Sequence, residues 1–212
     1  MLGRFGHKSN TATILTQVAA AYNNDMGITS TVFRNETTHG QSQTDNLVDD
    51  PELPDSILHA VKFYVQTLKV PARRNVTNAD VIRGKEIFEQ AKCQSCHVST
   101  FRTMVNVAFP AMSNQLIHPY TDLLLHDMGN ALNDGYTEGS AKTAEWKTPP
   151  LWGLGLSPNS QGGEYFLLHD GRAKSIEDAI SLHDGEALAS KNNFMQLSAD
   201  DKNALMKFLE SL

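Results

Sequence analysis

Two cysteines and a histidine stand together at Cys93-Gln94-Ser95-Cys96-His97. The run is C-x-x-C-H, the signature of covalent c-type haem attachment. Each residue type has a task in that chemistry. Two thiols add across the two vinyl groups of a haem, and the adjacent His97 reaches the iron from the proximal face. Histidine is a usual axial ligand of haem iron. Three other readings are weaker. A thioredoxin-like C-x-x-C opens a helix after a strand, whereas the residues before Cys93 read as a helix with no strand ahead of it. Structural zinc takes four Cys/His ligands, typically in two pairs, and the chain has only these 2 cysteines. A plain disulfide explains the cysteines but not the histidine beside them.

Further residues suited to a haem lie downstream. Met128 follows Leu123-Leu124-Leu125 and precedes Gly129, where a loop would present its sulfur. Core packing is the commoner fate of a methionine. Arg172 and Tyr120 suit the propionates by charge and reach. Trp146 and Trp152 are expected to pack on the porphyrin. His126 and His169 are weaker ligand candidates, and His169 more naturally orders its His169-Asp170-Gly171 turn or meets a propionate.

These residues need elements to position them. A helix is expected from Asn10/Thr11 to about Tyr22, with Ile14, Val18 and Ala21 on one face, broken by Asn23-Asn24-Asp25. The polar stretch from Asn35 to Asp55 reads as a long loop. A second helix, about Asp55 to Lys69, carries the apolar stripe Ile57, Val61, Tyr64 and Leu68 and stops at Pro71. Val70–Asn75 reads as a linker. The third helix, capped by Asn78, runs from about Ala79 to Ala91 and delivers the haem motif. Gly84 inside it costs about 1 kcal/mol relative to Ala, a cost explained by close approach of another helix. The partner expected is the last helix, capped by Ser198 with Asp201 at the capping-box position and Leu205, Phe208, Leu209 and Leu212 on its apolar side. A shorter helix opens at Ser175 and ends at His183. Between these lies a long Gly- and Pro-rich region. Loops of such length are uncommon unless they serve a purpose, and wrapping a cofactor is one.

The chain has 212 residues and a formal net charge of -6. That length is ample for a buried core, and the charge argues against nucleic-acid binding. No apolar run approaches a membrane span, and the first residues have no signal-peptide core.

On specific runs the sequence resembles the bacterial di-haem oxidoreductases, often labelled thiol oxidoreductases. These are related to di-haem cytochrome c peroxidases and to the di-haem enzyme of methylamine utilisation. The matching runs are Gly3-Arg4-Phe5-Gly6, Asp25-Met26-Gly27-Ile28, Val70-Pro71-Ala72-Arg73, the haem motif, Pro119 to Gly129, Thr148-Pro149-Pro150-Leu151-Trp152-Gly153, His169-Asp170-Gly171-Arg172, Gly185-Glu186-Ala187 and the Phe208-to-Leu212 ending.

The resemblance implies a two-haem protein with one haem in each of two cytochrome c-like domains. In the peroxidase relatives the N-terminal haem reacts with peroxide and the C-terminal haem passes electrons to it. The one C-x-x-C-H here matches the C-terminal motif. The expected fold class is therefore all-α: residues 76–212 form a cytochrome c-like haem domain with long irregular loops. Residues 1–75 form the helical tail of an incomplete first domain plus linker. One covalently attached haem c is expected, as is periplasmic location from the chemistry of attachment. The redox partner is a protein or the first haem domain. A calcium partly bound by carbonyls near Thr148-Pro149 is a lesser implication. The sixth iron ligand is a Met in the peroxidase relatives and a Tyr in the methylamine-utilisation enzyme, and the matching position here is His183. His97/His183 coordination is expected, with Met128 as rival. His7 stands where the family more often has Trp, and Lys147 where Arg is usual. No catalytic side chain is expected, because the iron does the redox work. The expected function is electron relay in a di-haem oxidoreductase. The alternatives are a stand-alone electron carrier and a haem whose open sixth site turns over peroxide alone.

Overall fold

The structure is a computed structural model, and it describes residues 2–43 and 49–212. Residues 44–48, part of the loop expected from Asn35 to Asp55, lie outside the described residues. The chain divides into two compact units, Met1–Lys69 and Val70–Leu212.

The first unit is built on two helices. Helix α1 spans Ile14–Met26, and the Thr13 side chain accepts a hydrogen bond from Thr16 N. It runs through Asn23-Asn24-Asp25, which were expected to break it. The stop comes instead at Gly27, whose φ of 75° suits the left-handed C-cap that glycine adopts cheaply. Asn23 is tolerated because it is buried with a partner: its Nδ2 donates to Asn35 O at 3.0 Å. Helix α2 spans Asp55–Thr67. Its buried side is Leu58 with Val61, packed on Val18 and Ala19. The stripe read from the sequence is not the buried one, because Ile57, Tyr64 and Leu68 are exposed. Apolar residues surround this helix on nearly every side, so spacing alone did not select a face.

The second unit centres on two crossing helices, α3 (Ala79–Gln90) and α7 (Ala199–Ser211). Asn78 caps α3 by accepting from Asp80 N and Val81 N, and Ser198 caps α7 by accepting from Asp201 N. Gly84 explains itself at the crossing. A Cβ there would lie 2.0 Å from Ala204 O and 2.6 Å from Phe208 Cβ. Val81, Ile87, Phe88, Tyr120, Ile176, Phe194, Leu205, Phe208, Leu209 and Leu212 form the core around this crossing. Residues 70–75 pack with this unit: Arg74 N donates to Ser211 O at 2.8 Å, and the Arg74 guanidinium reaches the Glu210 and Leu212 carbonyls. Three short helices complete it: α4 (Ser157–Ser160), α5 (Ile176–Ser181) and α6 (Leu188–Met195).

The all-α expectation is overturned. Helices dominate, but the long region between α3 and α5 contains two small antiparallel sheets. Strand β1 (Phe101–Arg102) pairs with β2 (Leu116–Ile117), and β3 (Leu125–Asp127) pairs with β4 (Glu145–Lys147). Strands of two or three residues are too short to show alternation, so they read as loop. They fold the long segment back on itself and give its backbone groups partners. Among the described residues no helix is long and apolar enough to cross a membrane.

Candidate haem site

Helix α3 carries the cysteines to one end of the core. After Gln90 the chain turns through Lys92, at φ 64°, into a single 3-10 turn at Cys93–Ser95. His97 N then donates to Cys93 O at 3.0 Å, which closes the turn and brings both thiols and the imidazole together. Both cysteines are free and half-buried. Burial pushes the Cys93 thiol up to about 11. Burial first, then the charges of Asp122 and Glu186, also raise Cys96.

His97 is held by the backbone. Its Nδ1 lies 2.9 Å from Tyr120 O. A carbonyl only accepts, so Nδ1 carries the proton and Nε2 keeps its lone pair. Burial pushes the His97 pKa down to about 4, against the opposing pull of the Tyr120 carbonyl. A neutral imidazole with Nδ1–H on a carbonyl is the state in which histidine ligates a metal.

Tyr120 serves through its backbone. It takes a positive φ of 55°, and its carbonyl faces His97. Its ring is buried edge-on against Phe88 and Phe208, each with centroids 5.8 Å away. Helices α3 and α7 thus fix Tyr120, and Tyr120 fixes His97. The sequence had offered Tyr120 as a propionate partner through its phenol; the carbonyl's role had no signal in the sequence.

His183 repeats the arrangement. It follows α5, which Ser175 caps by accepting from Asp178 N. Its Nδ1 lies 2.7 Å from Ala179 O, so its Nε2 also keeps a lone pair. Burial lowers its pKa. His183 sits close enough to His97 for its charge to disfavour protonation there. Among the described residues neither Nε2 has a hydrogen-bond partner. Met128 is half-buried at the end of β3, where its N donates to Ala144 O at 2.9 Å.

Of the other candidates, Arg172, His169 and Trp146 have partners of their own. Arg172 Nε donates to Asp170 Oδ2 and its Nη1 to Ala131 O, both at 2.6 Å, so the guanidinium ties two loops together. His169 stacks on Trp146 with centroids 3.6 Å apart and planes 6° from parallel, and Trp146 Nε1 donates to Leu132 O. Trp152 is half-buried. The Thr148 carbonyl, near the implied calcium position, accepts from Thr121 Oγ1 at 2.6 Å.

One group was not anticipated. His126 Nε2 lies 2.8 Å from Asp122 Oδ2, and its Nδ1 lies 2.7 Å from Glu186 Oε2. Burial opposes protonation of His126, but the two carboxylates outweigh it and raise its pKa. The hydrogen bond from His126 and that from Asp127 N hold Glu186 below the usual carboxylate range. The only sequence signal was the presence of acids in the runs around Asp122 and Glu186. Cys96 Sγ belongs to the same group: it, an Asp122 oxygen and a His126 nitrogen all lie within 4.8 Å of one another.

Two free thiols and a neutral imidazole on one turn, with a second neutral imidazole nearby, fit the donor set of a c-type haem. The family comparison points to haem. The family described as "Di-haem oxidoreductase, putative peroxidase" has a sequence model that matches residues 1–212. Among solved structures, hydrazine synthase of Kuenenia stuttgartiensis pressurised with xenon is similar at 19% identity and a TM-score of 0.47. That match covers 73% of this chain and 55% of the other. No curated protein matches.

Proposed function

The chain belongs to the di-haem oxidoreductase family, and from that premise we propose that its second unit holds one covalently attached haem c and relays electrons. Cys93 and Cys96 would anchor the group, and His97 and His183 would supply imidazole ligands to its iron. The bound haem supplies one-electron redox chemistry at its iron. The chain's own residues hold and orient. Tyr120 O keeps His97 in the tautomer that ligates, and Ala179 O does the same for His183. Helices α3 and α7 supply the apolar backing on which Phe88 and Tyr120 rest. The single observation that carries the proposal is the neutral, carbonyl-bonded His97 on the same turn as two unpaired thiols.

A two-haem parent would turn over peroxide at its other haem, and this unit would feed it electrons. Attachment of such a group belongs to the periplasmic side of a bacterial membrane, so that is the location proposed. The test is expression with c-type haem maturation. Denaturing electrophoresis with haem staining should show one haem retained, and the mass should rise by one haem. Cys93→Ala/Cys96→Ala should lose both signals. Peroxide turnover is then measured with and without an electron donor. Reversible reduction without turnover supports the relay; rapid turnover by this chain alone would overturn it.

A further inference from the structure

Three stretches of the second unit meet at His126. The first is the loop after Tyr120, which brings Asp122 to the ring. The second is β3, which carries His126 itself. The third is the turn after His183, which brings Glu186. Each imidazole nitrogen faces a carboxylate oxygen, at 2.8 Å for Asp122 and 2.7 Å for Glu186. Carboxylates only accept, so both nitrogens donate and the ring bridges them as a cation.

The junction is locked a second time by backbone. Glu186 Oε1 accepts from Asp127 N at 3.0 Å. A Cβ on Gly185 would lie 2.3 Å from Asp127 O, and one on Gly129 would lie 2.8 Å from Asp184 Cβ. The end of β3 and the turn that follows His183 therefore touch along their main chains, with no room for a side chain between them.

We propose that His126 is a positioning residue for the haem. By joining Asp122 to Glu186, it ties the loop that aims His97 to the turn that carries His183. It thereby sets the span between the two imidazoles. The anchor Cys96 lies beside it. With the bridge intact His183 stays on the iron. With the bridge cut, the turn beyond His183 is free to shift and the sixth position opens to exogenous ligands. This inference rests on the reading of His97 and His183 as the axial pair.

The experiment uses the haem-loaded chain, oxidised, with optical and electron paramagnetic resonance spectra and the rate of cyanide binding as readouts. His126→Leu and Glu186→Gln are expected to gain a high-spin signal and to bind cyanide at least about tenfold faster. His183→Ala is expected to be high-spin throughout. His126→Leu added to His183→Ala should change nothing further, because the bridge acts through His183. If His126→Leu does not fold by circular dichroism, Glu186→Gln decides, since it alters one exposed side chain. Unchanged spectra and cyanide rates in Glu186→Gln and in folded His126→Leu, with His183→Ala high-spin, would overturn the bridge alone. A low-spin His183→Ala would overturn the axial reading and the bridge with it.

Discussion

His97 and His183 are oriented by the same device: each directs its Nδ1 at a backbone carbonyl, Tyr120 O at 2.9 Å and Ala179 O at 2.7 Å. A side-chain acceptor would bring a charge or a rotamer choice. A carbonyl fixed by a helix end or a buried turn brings neither. Both rings are thereby set in one tautomer, with Nε2 free to ligate.

Tyr120 acts through its carbonyl, so removing its phenol should matter little. Tyr120→Phe is expected to keep the haem spectrum of the parent and to cost no more than about 1 kcal/mol, the scale of one hydrogen bond. Denaturant unfolding followed at the haem band checks both. A lost low-spin signal in this variant would assign the phenol a direct role at the haem.

The burial of His97 makes the haem-free chain sensitive to acid. Burial holds its folded pKa at about 4, below the ordinary histidine value of 6.5. The unfolded chain therefore binds the proton more readily in that window. Stability is full above the unfolded value and falls as pH drops toward about 4. The loss from this group is at most about 3 kcal/mol. His183 is shifted the same way and adds to it. Urea unfolding of the Cys93→Ala/Cys96→Ala chain between neutral and acid pH checks the sign. His97→Gln should flatten part of the slope.

Gly84 is set against α7 with no room to spare. Gly84→Ala would place its Cβ 2.0 Å from Ala204 O. The gain in helix propensity, about 1 kcal/mol, favours the variant. The overlap outweighs it, because the atom to be displaced is backbone. A net loss of about 1–3 kcal/mol is expected, read as a lower urea midpoint with an unchanged slope.

Much of this arrangement is written locally in the chain. Asn78, Ser175 and Ser198 cap helices because short polar side chains satisfy the first backbone N–H groups. Gly84 signals a crossing because nothing else repays glycine inside a helix. The haem motif is a fixed spacing of reactive groups. What stayed hidden depends on distant partners. The strands beside His126 and Trp146 are three residues long, and only their pairing reveals them. Tyr120, Leu123 and Leu168 take positive φ, which no residue type there announces. Asp122 and His126 are four apart, a helical spacing, yet the chain between them turns at Leu123 and enters a strand. Glu186 joins them from some sixty residues away.

The rivalry between His183 and Met128 can be settled by potential. A thioether stabilises ferrous iron relative to an imidazole, so a Met ligand raises the midpoint. If His183 is the ligand, His183→Met should raise the midpoint and bring in the sulfur-to-iron charge-transfer band. Met128→Leu should leave both the midpoint and the spectrum as they were. Met128 sits at the end of β3 with its backbone N donating to Ala144 O. That bond survives substitution by leucine, so the variant should fold. Were Met128 the ligand, its loss would lower the midpoint and abolish an existing sulfur band, while His183→Met would change little. The two outcomes are opposite in sign and come from the same titration.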